Sequence, residues 1–384
     1  MKIALVTPWP PQASGIADYA YDMAAYWAQS GRTVDVYTEE PNPTALAGVR
    51  VDTVPCHTIP ALDRYDTIVY QMGNQFFHLF MLPILIRFGG TVHLHDIVLH
   101  DFLRALLVRD QLVESYFDLV EKWYGGIARA AVTDLWRTPV DLSSSPLITE
   151  LPLFEEVLQY ADSCVVHSRF AEQRIAAVFP GLPCLCVPQA YPKLAPASGG
   201  GPVLRIGIFG GVEPTKKVDV VLEALAMVAH EGLDFTVDIA GAIAPTMASL
   251  PELIAKLGLS SRVNLHGRVS TEEFHTLMAH SDVCVALRYP TRGETSAVIV
   301  RALQRGLAVV VSDVGWYSEL PDFVIKIPPE SGAAAKLAGQ ISNLIIQPGR
   351  LGGLRRQALD YAASHLDFAN CMDRYAAFLQ QRSK

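Results

Sequence analysis

Basic excess, paired cysteines and long apolar runs are all missing from this sequence. Charged residues make up only 18% of the 384, and 31 Lys and Arg against 39 Asp and Glu leave a net charge of −8. A chain without a basic surplus does not advertise a nucleic-acid surface, so no nucleic-acid partner is expected. The six cysteines, Cys56, Cys164, Cys184, Cys186, Cys284 and Cys371, show no paired CxxC spacing. They read as reduced thiols in a cytoplasmic chain, with no structural zinc among them. The most apolar stretch, Phe76 to Ile86, holds His78 and Pro83 and ends at Arg87. That falls well below the ~20 residues that span a bilayer. The N-terminal run Ile3–Thr7 leads into Pro8-Trp9-Pro10-Pro11, with no small-residue cleavage site. It reads as a first strand rather than a signal peptide. A peripheral contact at the inner membrane face stays open.

What the chain has is apolar residues, 50% of the total. At ~100–200 residues per domain this favours two domains with full cores. Short Val- and Ile-rich runs alternate with helical patterns. They are Ile3–Thr7, Val34–Thr38, Thr67–Met72, Thr91–His95 and Cys164–His167, then Leu204–Phe209, Phe235–Ala240, Val263–His266, Val283–Leu287 and Ala308–Ser312. Continuous apolar strands between helices mean α/β architecture with parallel sheets covered on both faces. Ile16, Tyr19, Ala20, Met23, Ala24 and Trp27 keep the spacing of one helix face, and Gly31 stops that helix. The Pro-, Gly- and Ser-rich segment 191–202 has no periodicity and is followed by a fresh strand, so it divides a first domain, 1–190, from a second, 203–366. An amphipathic helix within 367–384 ends the chain. A long insertion, Leu99 to Tyr160, is helical by pattern and broken by Pro139 and by Ser143-Ser144-Ser145-Pro146. Its Leu103, Leu106, Leu107, Tyr116, Phe117, Trp123 and Tyr124 either bury against the first domain or offer an apolar face to a lipid.

In open parallel sheets ligands bind beyond the carboxyl ends of strands, which makes the residues just after each strand the informative ones. Leu204–Phe209 runs into Gly210-Gly211 and then Lys216-Lys217 at a helix start. Glycines let backbone approach a ligand, and Lys216 offers a point charge to a phosphate. Val283–Leu287 runs into Arg288, Arg292, Glu294, Thr295 and Ser296 before the next helix. The last three are expected at a helix N-terminus, where free amides and the dipole hold anions.

The order Phe209-Gly210-Gly211, Pro214-Thr215-Lys216, Val218-Asp219, Val263 to Gly267, Ser281-Asp282, Gly293-Glu294, Arg301 to Gly306 and Val309 to Asp313 resembles the donor domain of retaining glycosyltransferases of family 4. The first half agrees through Gly15, Leu94-His95-Asp96, Val166-His167-Ser168 and Val187-Pro188. The resemblance covers nearly the whole chain. It implies a GT-B fold, two Rossmann-like domains facing across a cleft, with the terminal helix packed back on the first. It also implies a metal-independent hexosyltransferase that uses a nucleotide-diphosphate sugar as donor substrate and needs no cofactor, acting on a glycan or lipid-linked acceptor in glycan or cell-envelope polysaccharide assembly.

By resemblance, Lys216 clamps the diphosphate, His95 lies near the reacting sugar with Asp96 on the acceptor side, and Gly15 meets the donor through backbone amides. Gly210, Gly211, Arg288, Arg292, Thr295 and Ser296 join the donor site, with Glu294 beside the sugar. No Asp-x-Asp pair for Mg²⁺ or Mn²⁺ is present. The family's second diphosphate cation falls at Gly211, and its two acids fall at Gly293 and Arg301, so Glu294 is displaced by one position. Two other readings stay open: a catalytically silent GT-B protein that binds glycan or a partner, and a nucleotide-sugar epimerase.

Overall fold

The computed structural model describes residues 1–55, 58–109, 112–138 and 142–382. Cys56 and the break expected at Pro139 lie outside them. Two parallel sheets organise the chain. The first holds β1 (Lys2–Val6), β2 (Thr33–Thr38), β3 (Arg50–Thr53), β4 (Thr67–Met72), β5 (Thr91–Leu94), β6 (Ser163–Val166) and β7 (Cys184–Cys186), in the order β3-β2-β1-β4-β5-β6-β7. The second holds β8 (Leu204–Phe209), β9 (Phe235–Ala240), β10 (Val263–Gly267), β11 (Val283–Ala286), β12 (Ala308–Ser312) and β13 (Ile325–Ile327), in the order β10-β9-β8-β11-β12-β13. Each sheet starts at its centre, winds outward one way, then reverses. The reversal falls between β1 and β4 and between β8 and β11, the crevices where doubly wound sheets bind ligands.

Ten of these strands coincide with the apolar runs of the sequence. The three it did not announce, β3, β7 and β13, are edge strands of three or four residues. An edge strand is half exposed and needs no continuous apolar run, so its signal is weak. Central strands are the opposite case: every residue of β4 and β12 is buried.

Helix Gly15–Gln29 buries the expected face, with Ser14 as N-cap accepting from the Ile16 amide. Gly15 is therefore the first helical residue, not a loop residue. The insertion folds into helices, chiefly His100–Arg109 and Val113–Trp136, the latter kinked at Gly125. Leu103, Tyr116 and Phe117 are buried, and Leu106, Leu107, Trp123 and Tyr124 pack against the same core. Three of these seven residues are thus buried and four partly buried, all against the first unit's own core. No described helix is long and apolar enough to cross a membrane.

Two compact units result. The first comprises Met1–Pro192, Arg292–Thr295 and Phe368–Lys384, and the second comprises Lys193–Thr291 and Ser296–Asp367. Within the first, helix Phe368–Gln380 packs on helix Gly15–Gln29: the Trp27 indole N–H donates to the Met372 carbonyl at 3.2 Å, and the Trp27 and Tyr375 rings meet edge to face.

Candidate functional site

In the second unit, β8 is buried along nearly its whole length and ends at Phe209. Gly210 follows at φ +83°, a conformation that favours glycine, and the Lys216 amine lies 2.9 Å from where a Cβ would sit. A Cβ at Gly211 would meet only the Ala242 carbonyl and the Glu213 carboxylate, each at 3.7 Å. A Cβ is therefore accommodated at position 211. Lys216 closes a single 3₁₀ turn, Pro214–Lys216, and the helix begins after it at Val218.

Across the reversal point, β11 leads to Arg288. Its amide donates to the Ser312 hydroxyl at 2.8 Å and its guanidinium donates to the Thr215 hydroxyl at 2.7 Å. The Tyr289 amide donates to the Thr215 carbonyl at 2.8 Å, which locks the two loops together. Lys216, Arg288 and Ser296 then line one cavity of about 40 Å³, floored by Ile208, Phe209, Val285 and Ala286. Ser296 is the N-cap of helix Ala297–Gln304, its hydroxyl accepting from the Ile299 amide at 3.4 Å. Two cations and a helix N-terminus around one crevice suit an anion. Arg301 sits in the last turn of that helix, where a cation complements the dipole.

Three sequence expectations need correction here. Glu294 and Thr295 do not cap the helix; Ser296 does. The Glu294 carboxylate is buried and accepts from the Arg292 amide at 2.6 Å, while the Thr295 hydroxyl donates to the Gln189 amide oxygen at 2.9 Å. Arg292 lies with the first unit: its guanidinium is 3.9 Å from Asp101, and its carbonyl accepts from the Ile97 and Val98 amides. The physical reason is local. Gly293 takes φ +71°, turning the chain so that residues 292–295 meet the first unit before the helix starts.

In the first unit, β5 is followed at once by His95, buried beside β4. The His95 Nε2–H donates to the Gln71 side-chain oxygen at 2.6 Å, and the amide orientation is supported by Gln71 Nε2 resting 3.8 Å from the Met23 sulfur. Asp96 accepts from the Asn74 amide at 3.0 Å. Asn74 in turn donates to Asp101 at 3.0 Å and accepts from the Phe102 amide at 3.0 Å. Gly15 faces open space on its Cβ side.

His95 packs against two further histidines, His93 and His167. On a strand, residues two apart share a face, so His93 and His95 stack with centroids 4.2 Å apart. The β5–β6 register pairs His93 with Val165, which brings His167 alongside. The His167 Nδ1–H donates to the Val187 carbonyl at 2.9 Å, leaving a lone pair on Nε2, to which His93 Nε2–H donates at 3.0 Å. Tyr19 meets all three rings edge to face. Burial disfavours the charged form, so His93 and His95 fall well below the ordinary histidine range and His167 falls to about 4. The signal available in the sequence was the pair His93-x-His95 followed by a second strand ending in His167.

Residues 203–347 match the family model of glycosyl transferases group 1. Across 97% of this chain and 92% of its own length, the chain is 25% identical to D-inositol 3-phosphate glycosyltransferase 1 of Catenulispora acidiphila. Sucrose-phosphate synthase from Thermosynechococcus elongatus superposes with a TM-score of 0.70 at 14% identity, covering 99% of this chain and 98% of that one. The fold is GT-B. The Anabaena protein HepE, solved in complex with UDP and glucose, superposes with a TM-score of 0.65 at 17% identity, over 99% of this chain and 100% of that one. Residues 203–347 are thus similar to glycosyl transferases group 1, and the chain as a whole has the fold of these neighbours.

Proposed function

We propose that this chain is a retaining, metal-independent glycosyltransferase of family 4 that moves a hexose from a nucleotide-diphosphate sugar to a hydroxyl acceptor, in glycan or cell-envelope polysaccharide assembly. The observation that carries the reading is the cavity at the β8–β11 reversal point, lined by Lys216, Arg288 and Ser296 within the segment that matches the family model. In the proposed reaction Lys216 and Arg288 offset the charge gathering on the departing diphosphate, helped by the helix amides behind Ser296, and so perform the task a divalent metal has in other transferases. The acceptor hydroxyl attacks on the face the diphosphate leaves, and the diphosphate takes its proton. This route needs no pair of carboxylates at glycosidase spacing.

His95, with Asp96 beside it in sequence, is assigned to the reacting sugar and the acceptor, Glu294 to the donor sugar, and Gly15, Gly210 and Gly211 to backbone contacts with the donor. Arg292 and Thr295 are kept in the donor loop as supports. UDP and glucose bound to the Anabaena neighbour make UDP-glucose the first donor to test. A panel of nucleoside diphosphates and their sugars, read by thermal shift, selects the donor, because a ligand preferring the native state raises the melting temperature. Product NMR with that donor and a glycan or lipid-linked acceptor then tests the reaction. A retained anomer supports the reading; an inverted anomer overturns the mechanism, an epimerised donor without acceptor replaces transfer by epimerisation, and donor binding with no turnover replaces it by a silent binding protein.

A further inference from the structure

Three buried histidines packed against one another ask for an explanation beyond the transfer step. One ring nitrogen from each of His93, His95 and His167 lies within 4.8 Å of the other two, and all three side chains are at most 8% exposed. Apolar residues such as Val165, which pairs with His93, would fill this face of the sheet with less desolvation cost. The rings are already oriented. Ligating histidines usually hand their second ring N–H to a carbonyl oxygen, and here the Val187 carbonyl holds His167 while the Gln71 side-chain oxygen holds His95.

We propose that His93, His95 and His167 bind a divalent transition-metal cation of the zinc class through one imidazole nitrogen each, with a water completing the shell. Nitrogen ligands alone, neutral at physiological pH and shielded from solvent, favour zinc over magnesium or calcium, which take oxygen. Bonds of about 2.0–2.1 Å in a tetrahedron place ligand atoms roughly 3.4 Å apart. The His93–His167 pair, now at 3.0 Å, opens slightly, and the third nitrogen draws in by up to about 1.4 Å, a movement made by ring rotation. The imidazole proton of His93 moves from Nε2 to Nδ1 as the cation takes the Nε2 lone pair. His93 Nδ1 has no hydrogen-bond partner before that step, so binding creates no new orphaned group. The cation replaces the histidine–histidine hydrogen bond as the tie between the ends of β5 and β6. With its ring nitrogens taken by the cation and by the Gln71 oxygen, His95 of the loaded chain meets the reacting sugar only through its carbon edge.

The test uses the full chain, stripped with chelator and exchanged into buffer with Zn²⁺ as the probe. Metal analysis after gel filtration is expected to give one Zn²⁺ per chain that survives filtration, with a rise in melting temperature. Co²⁺ in its place is expected to show the visible bands of a four-coordinate, nitrogen-rich site. His93→Phe keeps a ring of similar volume, and His93 has no assigned part in transfer. This variant is expected to lose Zn²⁺ affinity by at least ~100-fold, the upper part of the range for disturbing a metal's surroundings. Wild-type chain that retains no Zn²⁺, or a His93→Phe variant that retains it equally, overturns the site and leaves the triad as a hydrogen-bonded packing cluster. If His93→Phe fails to fold, the wild-type stoichiometry and the Co²⁺ spectrum decide alone: an octahedral spectrum or no bound cobalt overturns the proposal.

Discussion

Arg288 donates from its guanidinium to the Thr215 hydroxyl at 2.7 Å, clasping the loop after β11 to the turn after β8. That bond sets the position of one cation beside Lys216 at the reversal point of the second sheet. It also separates two arginines that the sequence treats alike, since Arg292, four residues on, turns instead to Asp101.

Lys216→Ala is expected to lower transfer by at least ~10-fold, about 1.4 kcal/mol of transition-state stabilisation, with donor affinity falling too. Lys216 ends a 3₁₀ turn and is only partly buried, so the melting temperature should change little. Steady-state kinetics beside a melting curve check this. Activity within about threefold of wild type would place the diphosphate elsewhere.

Arg288→Ala and Arg292→Ala should part company in nucleotide-diphosphate titrations by calorimetry. Arg288→Ala is expected to weaken binding by at least ~10-fold, the scale of one charge-assisted contact of about 1.4 kcal/mol. Arg292→Ala should leave that affinity within about threefold and instead lower the melting temperature, because Asp101 loses a neighbouring cation. Equal losses in both variants would put Arg292 in the donor site.

Glu294 has a structural duty that competes with its proposed contact to the donor sugar. Its carboxylate accepts from the Arg292 amide at 2.6 Å in a buried setting, so Glu294→Gln exchanges a charge-assisted bond for a neutral one. A stability loss of about 1 kcal/mol is expected from that exchange. Transfer should fall by ~10-fold while binding of the bare nucleotide diphosphate stays constant. If nucleotide affinity falls in step with transfer, Glu294 serves the loop alone.

Buried His100 makes the fold acid-sensitive. Its ring is bonded to the Tyr116 hydroxyl at 2.6 Å and to the Leu151 carbonyl, and burial together with nearby Arg104 lowers it to about 4. Between the unfolded value near 6.5 and about 4, the unfolded chain takes up a proton that the folded chain refuses, so stability falls as pH falls through that window and levels off below it. The 2.5-unit gap corresponds to roughly 3 kcal/mol. Melting temperature against pH should show the decline, and His100→Gln should flatten it relative to wild type.

Transfer is expected to proceed in excess EDTA, since Lys216, Arg288 and the helix amides take the metal's part in the proposed step. A strict divalent requirement restored by Mn²⁺ would remove that assignment.

The central strands, the alternating helices and the two-domain division could be read in sequence because continuous apolar runs and the 3.6-residue period are local consequences of burial. The same local logic singled out Lys216, Arg288 and Ser296, each just past the carboxyl end of a strand. Three things needed the folded chain. Edge strands β3, β7 and β13 are decided by the neighbour they pair with, which no local pattern records. The fate of Arg292 and Glu294 depends on a left-handed turn at Gly293 and on the Asp101, Ile97 and Val98 groups it reaches, nearly two hundred residues away in sequence. The histidine cluster depends on strand register: alternation alone aligns His93 with His95, but only the pairing of His93 with Val165 brings His167 beside them. Sequence fixes what a residue can do chemically; which other residues it meets is settled by long-range packing.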